Sequence, residues 1–149
     1  MTLRYLLDTN IVSAPISKKP DAAIVRRLEK HGPECAIAAP VWHELTCGCR
    51  RMPKGKRRTA LESYLREVVQ ASFPVLPYDE TAAEWHGEER ARLEGLGLPA
   101  PVVDGQIAAI AHAGELILVT TNTKDFARFK DLTVENWSNR RVRRRSRDP

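Results

Sequence analysis

Residues 3–10 read Leu-Arg-Tyr-Leu-Leu-Asp-Thr-Asn, and this stretch decides the fold class. Apart from Arg4, its first five residues are apolar, which predicts a strand over residues 3–7 that is buried on both faces. A strand covered on both faces is typical of a parallel sheet with helices on either side. Asp8 follows directly, so we expect a carboxylate where this strand ends.

The rest of the chain alternates short β-rich runs with helical patterns. Further strands are predicted at residues 35–39, 73–76, 116–120 and 132–136. Helices are predicted at residues 21–31, 40–49, 58–71, 80–96, 103–113 and 125–129. This alternation predicts an α/β protein, a three-layer α/β/α sandwich around a central, mostly parallel five-stranded sheet.

The length of 149 residues suits one domain, which we predict over residues 1–138, followed by a flexible Arg-rich tail at 139–149. The last ten residues hold six arginines and one acid, so the remainder is electrically neutral. No run approaches the roughly 18 to 20 apolar residues that span a bilayer. The N-terminal pattern enters a strand at once and contains no signal peptide. We therefore predict a cytoplasmic protein without a membrane partner.

A second concentration of positive charge lies at residues 50–58. Segments of this kind suit the phosphate backbone of a nucleic acid, because such contacts give affinity that is independent of base sequence. The alternative is a solvated loop here and a disordered solubility tail at the C-terminus. The candidate nucleic-acid-binding residues are Arg50, Arg51, Lys54, Lys56, Arg57 and Arg58.

Four acids are expected at the carboxyl edge of the sheet, where parallel α/β proteins bind ligands. Asp8 ends the first strand, and Asp125 follows the fourth. Glu44 lies one turn into the helix after the second strand. Asp104 lies in the first turn of the helix that precedes the fourth strand.

Each acid also has a plain structural explanation. Asp8 and Asp125 could cap the turns that follow them, Asp104 could favour a helix dipole, and Glu44 could face solvent. Together, however, four neighbouring carboxylates repel one another, and their proximity is costly without a cation. Oxygen ligands select magnesium or manganese over softer metals. The sequence therefore predicts a divalent-metal site, at which Asn10 and Asn122 could orient ligands without adding charge.

Four segments, taken in order, resemble the PIN-domain nucleases, and most closely the VapC-type toxins of bacterial toxin–antitoxin pairs. A further segment at 134–137, Val-Glu-Asn-Trp, resembles the closing strand of that family. The four are Leu-Leu-Asp-Thr-Asn-Ile-Val-Ser at 6–13, Trp-His-Glu-Leu at 42–45, Asp-Gly-Gln-Ile-Ala-Ala at 104–109, and Val-Thr-Thr-Asn-Thr-Lys-Asp-Phe at 119–126.

The resemblance implies a PIN-like fold and a magnesium- or manganese-dependent endoribonuclease. It implies metal-binding and catalytic roles for Asp8, Glu44, Asp104 and Asp125, and a supporting polar role for Thr120 or Asn122. It also implies a VapB-like antitoxin that blocks the site, a toxin homodimer, and a toxin–antitoxin hetero-oligomer. The Arg-rich extension after residue 137 departs from the family pattern and leaves substrate contacts there open.

Three other functions are alternatives, because each also places acids at the edge of a parallel sheet. A receiver domain wants an adjacent acidic pair after the first strand, and a dehalogenase-like phosphatase wants two aspartates two residues apart. The sequence has Asp8-Thr9-Asn10 at this point and meets neither requirement. The third alternative is a non-catalytic nucleic-acid-binding regulator on the same fold, against which the complete set of four acids argues.

Overall fold

The fold is that of a computed structural model, which describes residues 2–140. Residues 141–149, most of the predicted tail, lie outside the described residues, so both the tail and its boundary stay predictions. The strands are β1 (Tyr5–Leu7), β2 (Cys35–Ala38), β3 (Val75–Leu76), β4 (Ile117–Val119) and β5 (Val134–Glu135). The α-helices are α1 (Thr9–Val12), α2 (Ala22–His31), α3 (Ala39–Arg51), α4 (Lys56–Ser63), α5 (Gln70–Ser72), α6 (Glu80–Gly95), α7 (Val102–Ala113) and α8 (Thr123–Phe126).

The strands form one sheet in the order β3-β2-β1-β4-β5, and every neighbouring pair is parallel. This confirms the predicted α/β class and corrects "mostly parallel" to wholly parallel. Parallel neighbours need crossover connections, which are almost always right-handed. Because the strand order reverses beside β1, such crossovers place helices on both faces of the sheet. The reversal falls between β1 and β4, which is where a ligand crevice is expected to open.

Several predicted boundaries were wrong, and two of these differences have a physical reason. The strands end where parallel pairing ends, so β4 and β5 are shorter than the predicted strands at 116–120 and 132–136. The fourth helix begins at Lys56, two residues early, because lysine and arginine favour helices without contributing to apolar periodicity. This helix then passes through a π-helical stretch, Tyr64–Val69, into α5. Helix α8 begins at Thr123 and ends at Phe126 instead of spanning 125–129.

The contact between α6 and α7 fixes the first turn of α7. A Cβ atom at Gly105 would overlap the imidazole of His86, so only glycine fits there. His86 is buried, and its Nδ1 forms a 2.7 Å hydrogen bond with the hydroxyl of Tyr78. Burial lowers the pKa of His86, which favours the neutral ring. Because Asp104 precedes Gly105, this contact also determines where the Asp104 backbone lies.

The segment after β5 closes over α2. Trp137 is buried and packs edge-on against the ring of Tyr5, with 5.1 Å between ring centroids. Asp21 caps the N-terminus of α2 and accepts a hydrogen bond from the hydroxyl of Ser138. Arg140, the last described residue, donates from Nη2 to the carbonyl oxygen of Lys19 at 2.8 Å. Within residues 2–140, no helix is long and apolar enough to cross a membrane.

Candidate metal centre at the carboxyl edge of the sheet

Asp8 lies at the point where the strand order reverses. Its backbone N–H donates to the carbonyl oxygen of Val119 at 2.9 Å, which holds it between β1 and β4. One carboxylate oxygen, Oδ1, accepts from the backbone N–H of Thr9 at 2.8 Å, which caps α1. The other, Oδ2, accepts from the hydroxyl of Thr120 at 2.8 Å and from Asn10 Nδ2 at 3.4 Å. Capping therefore accounts for only one of its two oxygens.

Thr120 and Asn10 form a polar frame around this carboxylate. Thr120 is fully buried directly after β4, and its hydroxyl oxygen accepts from the backbone N–H of Asn122 at 3.0 Å. Asn10 Oδ1 accepts from the backbone N–H of Thr121 at 3.1 Å. Of the two predicted supporting asparagines, Asn10 contacts Asp8 through its side chain. Asn122 contributes its backbone, and its side chain is exposed.

Asp104 lies in the first turn of α7, as predicted, and is half-buried. Burial raises the pKa of its carboxyl, and the negative charges of Asp8, Asp125 and Glu44 raise this pKa further. Arg128 acts in the opposite direction. The pKa of Asp8 is also raised, first by burial and then, against its hydrogen bonds, by the charge of Glu44. Asp8, Asp125 and Glu44 are therefore near enough to Asp104 for their charges to raise its pKa.

A raised carboxyl pKa means that the folded protein disfavours the charged form. Below the pKa of the unfolded chain these groups cost nothing, and as pH rises through the folded pKa the burial of their charge destabilises the fold. At neutral pH, Asp8 and Asp104 thus carry repulsion that a bound cation would relieve.

Glu44 and Asp125 form the exposed part of the group. Glu44 lies in α3, where its Oε2 accepts from the hydroxyl of Thr9 at 2.8 Å. Thr9 therefore binds Asp8 through its backbone and Glu44 through its side chain. Asp125 lies in the first turn of α8, whose N-cap is Asn122, so the capping explanation for Asp125 was wrong.

The four acids match a hard divalent cation in donor chemistry and in charge. They offer only carboxylate oxygens, which magnesium and manganese prefer. Yet across residues 2–140, no three histidine, cysteine or acidic side chains are gathered closely enough to form a ready ligand set. Asp8 and Glu44 are instead engaged by hydrogen bonds from the hydroxyls of Thr120 and Thr9.

The basic run is split between partnered and free side chains. Arg50 Nη1 in α3 lies 3.6 Å from Glu62 in α4, so this pair joins the two helices. Arg58 Nε donates to Glu62 at 2.9 Å within α4. The others are exposed and form no ion pair among the described residues; they are Arg51, Lys54, Lys56 and Arg57.

Two residues at this edge were missed by the sequence analysis. The hydroxyl of Thr9 contacts Glu44, which its place between Asp8 and Asn10 in the first motif could have suggested. Arg128 influences Asp104 and donates to the carbonyl oxygen of Pro99 at 2.8 Å. Nothing in its local sequence indicates that role.

Comparison with known proteins agrees with this architecture. The chain is 34% identical over 137 residues to the tRNA(fMet)-specific endonuclease VapC of Shigella flexneri, covering 91% of this chain and 99% of that protein. Its fold is similar to the crystal structure of FitAcB from Neisseria gonorrhoeae, with a TM-score of 0.82, 29% identity, and 89% and 97% of the two chains covered. It is also similar to VapBC2 from Rickettsia felis bound to a DNA fragment from their promoter, with a TM-score of 0.77, 30% identity, and 93% and 100% covered.

The match extends over most of the described domain. A family model described as the PIN domain matches residues 5–132, which include the strands β1 to β4 and all four acids. The resemblance seen in the sequence motifs is thereby confirmed. The chain belongs to the PIN domain family, among its VapC-type members.

Proposed function

We propose that this chain is a divalent-metal-dependent endoribonuclease that acts as the toxin of a toxin–antitoxin pair. The observation that carries the proposal is that Asp8 lies at the strand-order reversal and is linked to Glu44 through hydrogen bonds from Thr9. The charges of Asp8, Asp125 and Glu44 also raise the pKa of Asp104, which supports a shared site. The VapC relatives, named as ribonucleases or endonucleases, support RNA as the substrate. Membership of the PIN domain family sets aside the receiver and phosphatase alternatives.

Asp8 and Asp104 would hold a magnesium or manganese ion directly, with Asp125 binding directly or through water and Glu44 completing the site. When bound, such an ion polarises a phosphoryl oxygen and makes water a stronger nucleophile near neutral pH. The hydroxyl of Thr120 and the backbone of Thr9 orient the Asp8 carboxylate before substrate arrives.

As an alternative to completing the metal site, Glu44 would accept a proton. It is exposed, and Thr9 fixes one of its oxygens, which leaves the other open toward a water molecule that attacks the RNA phosphodiester. Attack in line with the departing oxygen breaks the phosphodiester and leaves the phosphate on one product end. The departing oxygen becomes a hydroxyl by taking a proton from solvent. The proton of the attacking water passes to Glu44.

The partners proposed for this chain follow from its relatives. The similarity to FitAcB and VapBC2 supports a VapB-like antitoxin as the partner. We propose that this antitoxin covers the acidic edge and that the toxin forms a homodimer within a larger hetero-oligomer. An RNA substrate is consistent with a cytoplasmic site of action. The exposed part of the basic run, Arg51, Lys54, Lys56 and Arg57, is available for the RNA backbone.

The direct test incubates the purified chain with structured RNA, such as a transfer RNA pool. We expect discrete cleavage products with magnesium or manganese, no products with EDTA, and inhibition by the antitoxin encoded beside the gene. A chain that binds this RNA with and without the metal, but cuts it with neither magnesium nor manganese, would instead be the non-catalytic regulator.

A further inference from the structure

A cavity of about 340 Å³ lies beside the acids, on the far side of Asn10, and is open to solvent. We call it the hydroxyl cavity. It is bordered by the end of α1, the N-terminus of α2, the residue after Thr120, and the segment that follows β5. Its lining includes Asn10, Ser13, Ser17, Thr121, Asn136 and Arg140.

Asn10 is the wall that the cavity shares with the acidic edge. Its Nδ2 donates to Asp8 Oδ2 at 3.4 Å, and its Oδ1 accepts from the backbone N–H of Thr121 at 3.1 Å. Both Asn10 and Thr121 also line the cavity. A polymer held at the acids can therefore continue into the cavity without crossing another structural element.

The cavity offers both hydrogen-bond acceptors and donors. The hydroxyls of Ser13 and Ser17 donate to the carbonyl oxygens of Thr9 at 2.7 Å and Ala14 at 3.0 Å, so their oxygens remain free to accept. Asn136 Oδ1 accepts from the backbone N–H of Ser138 at 2.9 Å. Its side-chain NH₂ has no partner among the described residues and remains available as a donor.

The charges in the lining are already balanced. Asp21 accepts from the backbone N–H groups of Ala23 and Ile24 and from the hydroxyl of Ser138. Its carboxylate oxygen also lies 3.6 Å from Arg140 Nε. The hydrogen bond from Ser138 is the largest influence that lowers the pKa of Asp21, which stays ionised opposite Arg140.

The lining combines the apolar surface of Ala14 and Ile24 with hydroxyl and amide groups, and its charges are balanced. Such a lining suits a sugar and a base better than a free phosphate or a cation. The ribose 2′-hydroxyl both donates and accepts hydrogen bonds, and it is the group that distinguishes RNA from DNA. The serine oxygens can accept from it, and the Asn136 amide can donate to it. The volume also falls within the range of small-molecule sites.

We propose that the hydroxyl cavity binds the nucleoside next to the cleaved phosphodiester and recognises its 2′-hydroxyl. This subsite rests on the proposed ribonuclease function. RNA would then lie beside the four acids, on the side where Asn10 and Ser17 line the cavity. The ribose bound there would help to determine which substrate is cleaved.

The test combines cavity variants with single 2′-deoxy substitutions in a short oligoribonucleotide. Ser17→Leu fills the cavity, and Asn136→Ala removes its free donor. Ser63→Leu is the matched control, because Ser63 is exposed on α4 and does not line the cavity. Cleavage gives kcat and KM, and a fluorescent copy of the same oligonucleotide gives binding with calcium in place of magnesium.

Both cavity variants are expected to raise KM by about 10-fold, which corresponds to the loss of one hydrogen bond, with little change in kcat. The Ser63→Leu control is expected to leave KM unchanged. One 2′-deoxy position beside the cut is expected to weaken wild-type binding by about 10-fold and to have almost no further effect in Asn136→Ala.

If the variant and the 2′-deoxy substitution each weakened binding by the same factor whether or not the other was present, the proposed subsite would be overturned. Variants that weaken antitoxin binding while leaving KM for RNA unchanged would also overturn it, because the cavity would then hold an antitoxin side chain. A wild-type chain that cuts no RNA would refute the proposed function, whereas the calcium binding series would still decide whether the cavity holds a ribose.

Discussion

Asp8→Asn and Asp104→Asn are each expected to lower magnesium-dependent RNA cleavage by about 10³-fold. A bound metal supplies several kcal/mol of transition-state stabilisation, and about 4 kcal/mol corresponds to this factor. Asparagine keeps the size of aspartate and one acceptor oxygen, but it removes the charge that holds the cation. Initial cleavage rates on one labelled RNA, at saturating magnesium, measure the effect.

Glu84→Gln is the control for loss of one negative charge, because Glu84 is exposed in the middle of α6 and forms no ion pair within the described residues. It is expected to cleave at the wild-type rate. Both site variants are expected to remain folded, because burial and the neighbouring acids raise the pKa of Asp8 and Asp104, and removing either charge relieves that cost. Wild-type activity in Asp8→Asn would remove Asp8 from the metal site.

Gly105→Ala is expected to destabilise the fold by about 3 kcal/mol, at the upper end for overpacking a core. The added methyl group would overlap the buried ring of His86, which its hydrogen bond to Tyr78 holds in place. Chemical denaturation measures the free energy of unfolding. Activity should fall as well, because Asp104 begins the same helical turn.

Gly48→Ala is the matched control, because Gly48 lies inside α3 and a Cβ there meets nothing within 4 Å. That change is expected to stabilise the chain by about 0.5–1 kcal/mol, as alanine does in a helix. In the double variant Gly105→Ala, His86→Ala, part of the lost stability should return. An unchanged unfolding free energy in Gly105→Ala would mean that α6 and α7 are not in close contact there.

The predictable part of the fold was encoded locally. Residues 5–7 and 35–38 are buried throughout, and their uniformly apolar sequence marks a doubly covered sheet. Asp8 could be placed because it is joined directly to the end of β1. Asp104 could be placed because a Pro-rich loop precedes its helix. These positions need no knowledge of long-range packing.

The remainder depends on partners that are distant in the chain. Asp21 and Ser138 are 117 residues apart and form the hydrogen bond that helps to close the hydroxyl cavity. The hydroxyl of Tyr64, in the π-helical stretch, donates to the carbonyl oxygen of Val12 at 2.6 Å. No local sequence pattern predicts this contact. Helix α1 is only four residues long, too short for a periodic signal.

We expect the four carboxylates at the edge of the sheet to share one divalent cation. Manganese titration followed by electron paramagnetic resonance measures this without any RNA, on the wild-type chain, Asp8→Asn, Asp104→Asn and Glu84→Gln. We expect saturable binding in the wild type and in Glu84→Gln, and affinities at least about 10-fold weaker in each aspartate variant. Equal manganese affinity in all four proteins would contradict a shared cation site.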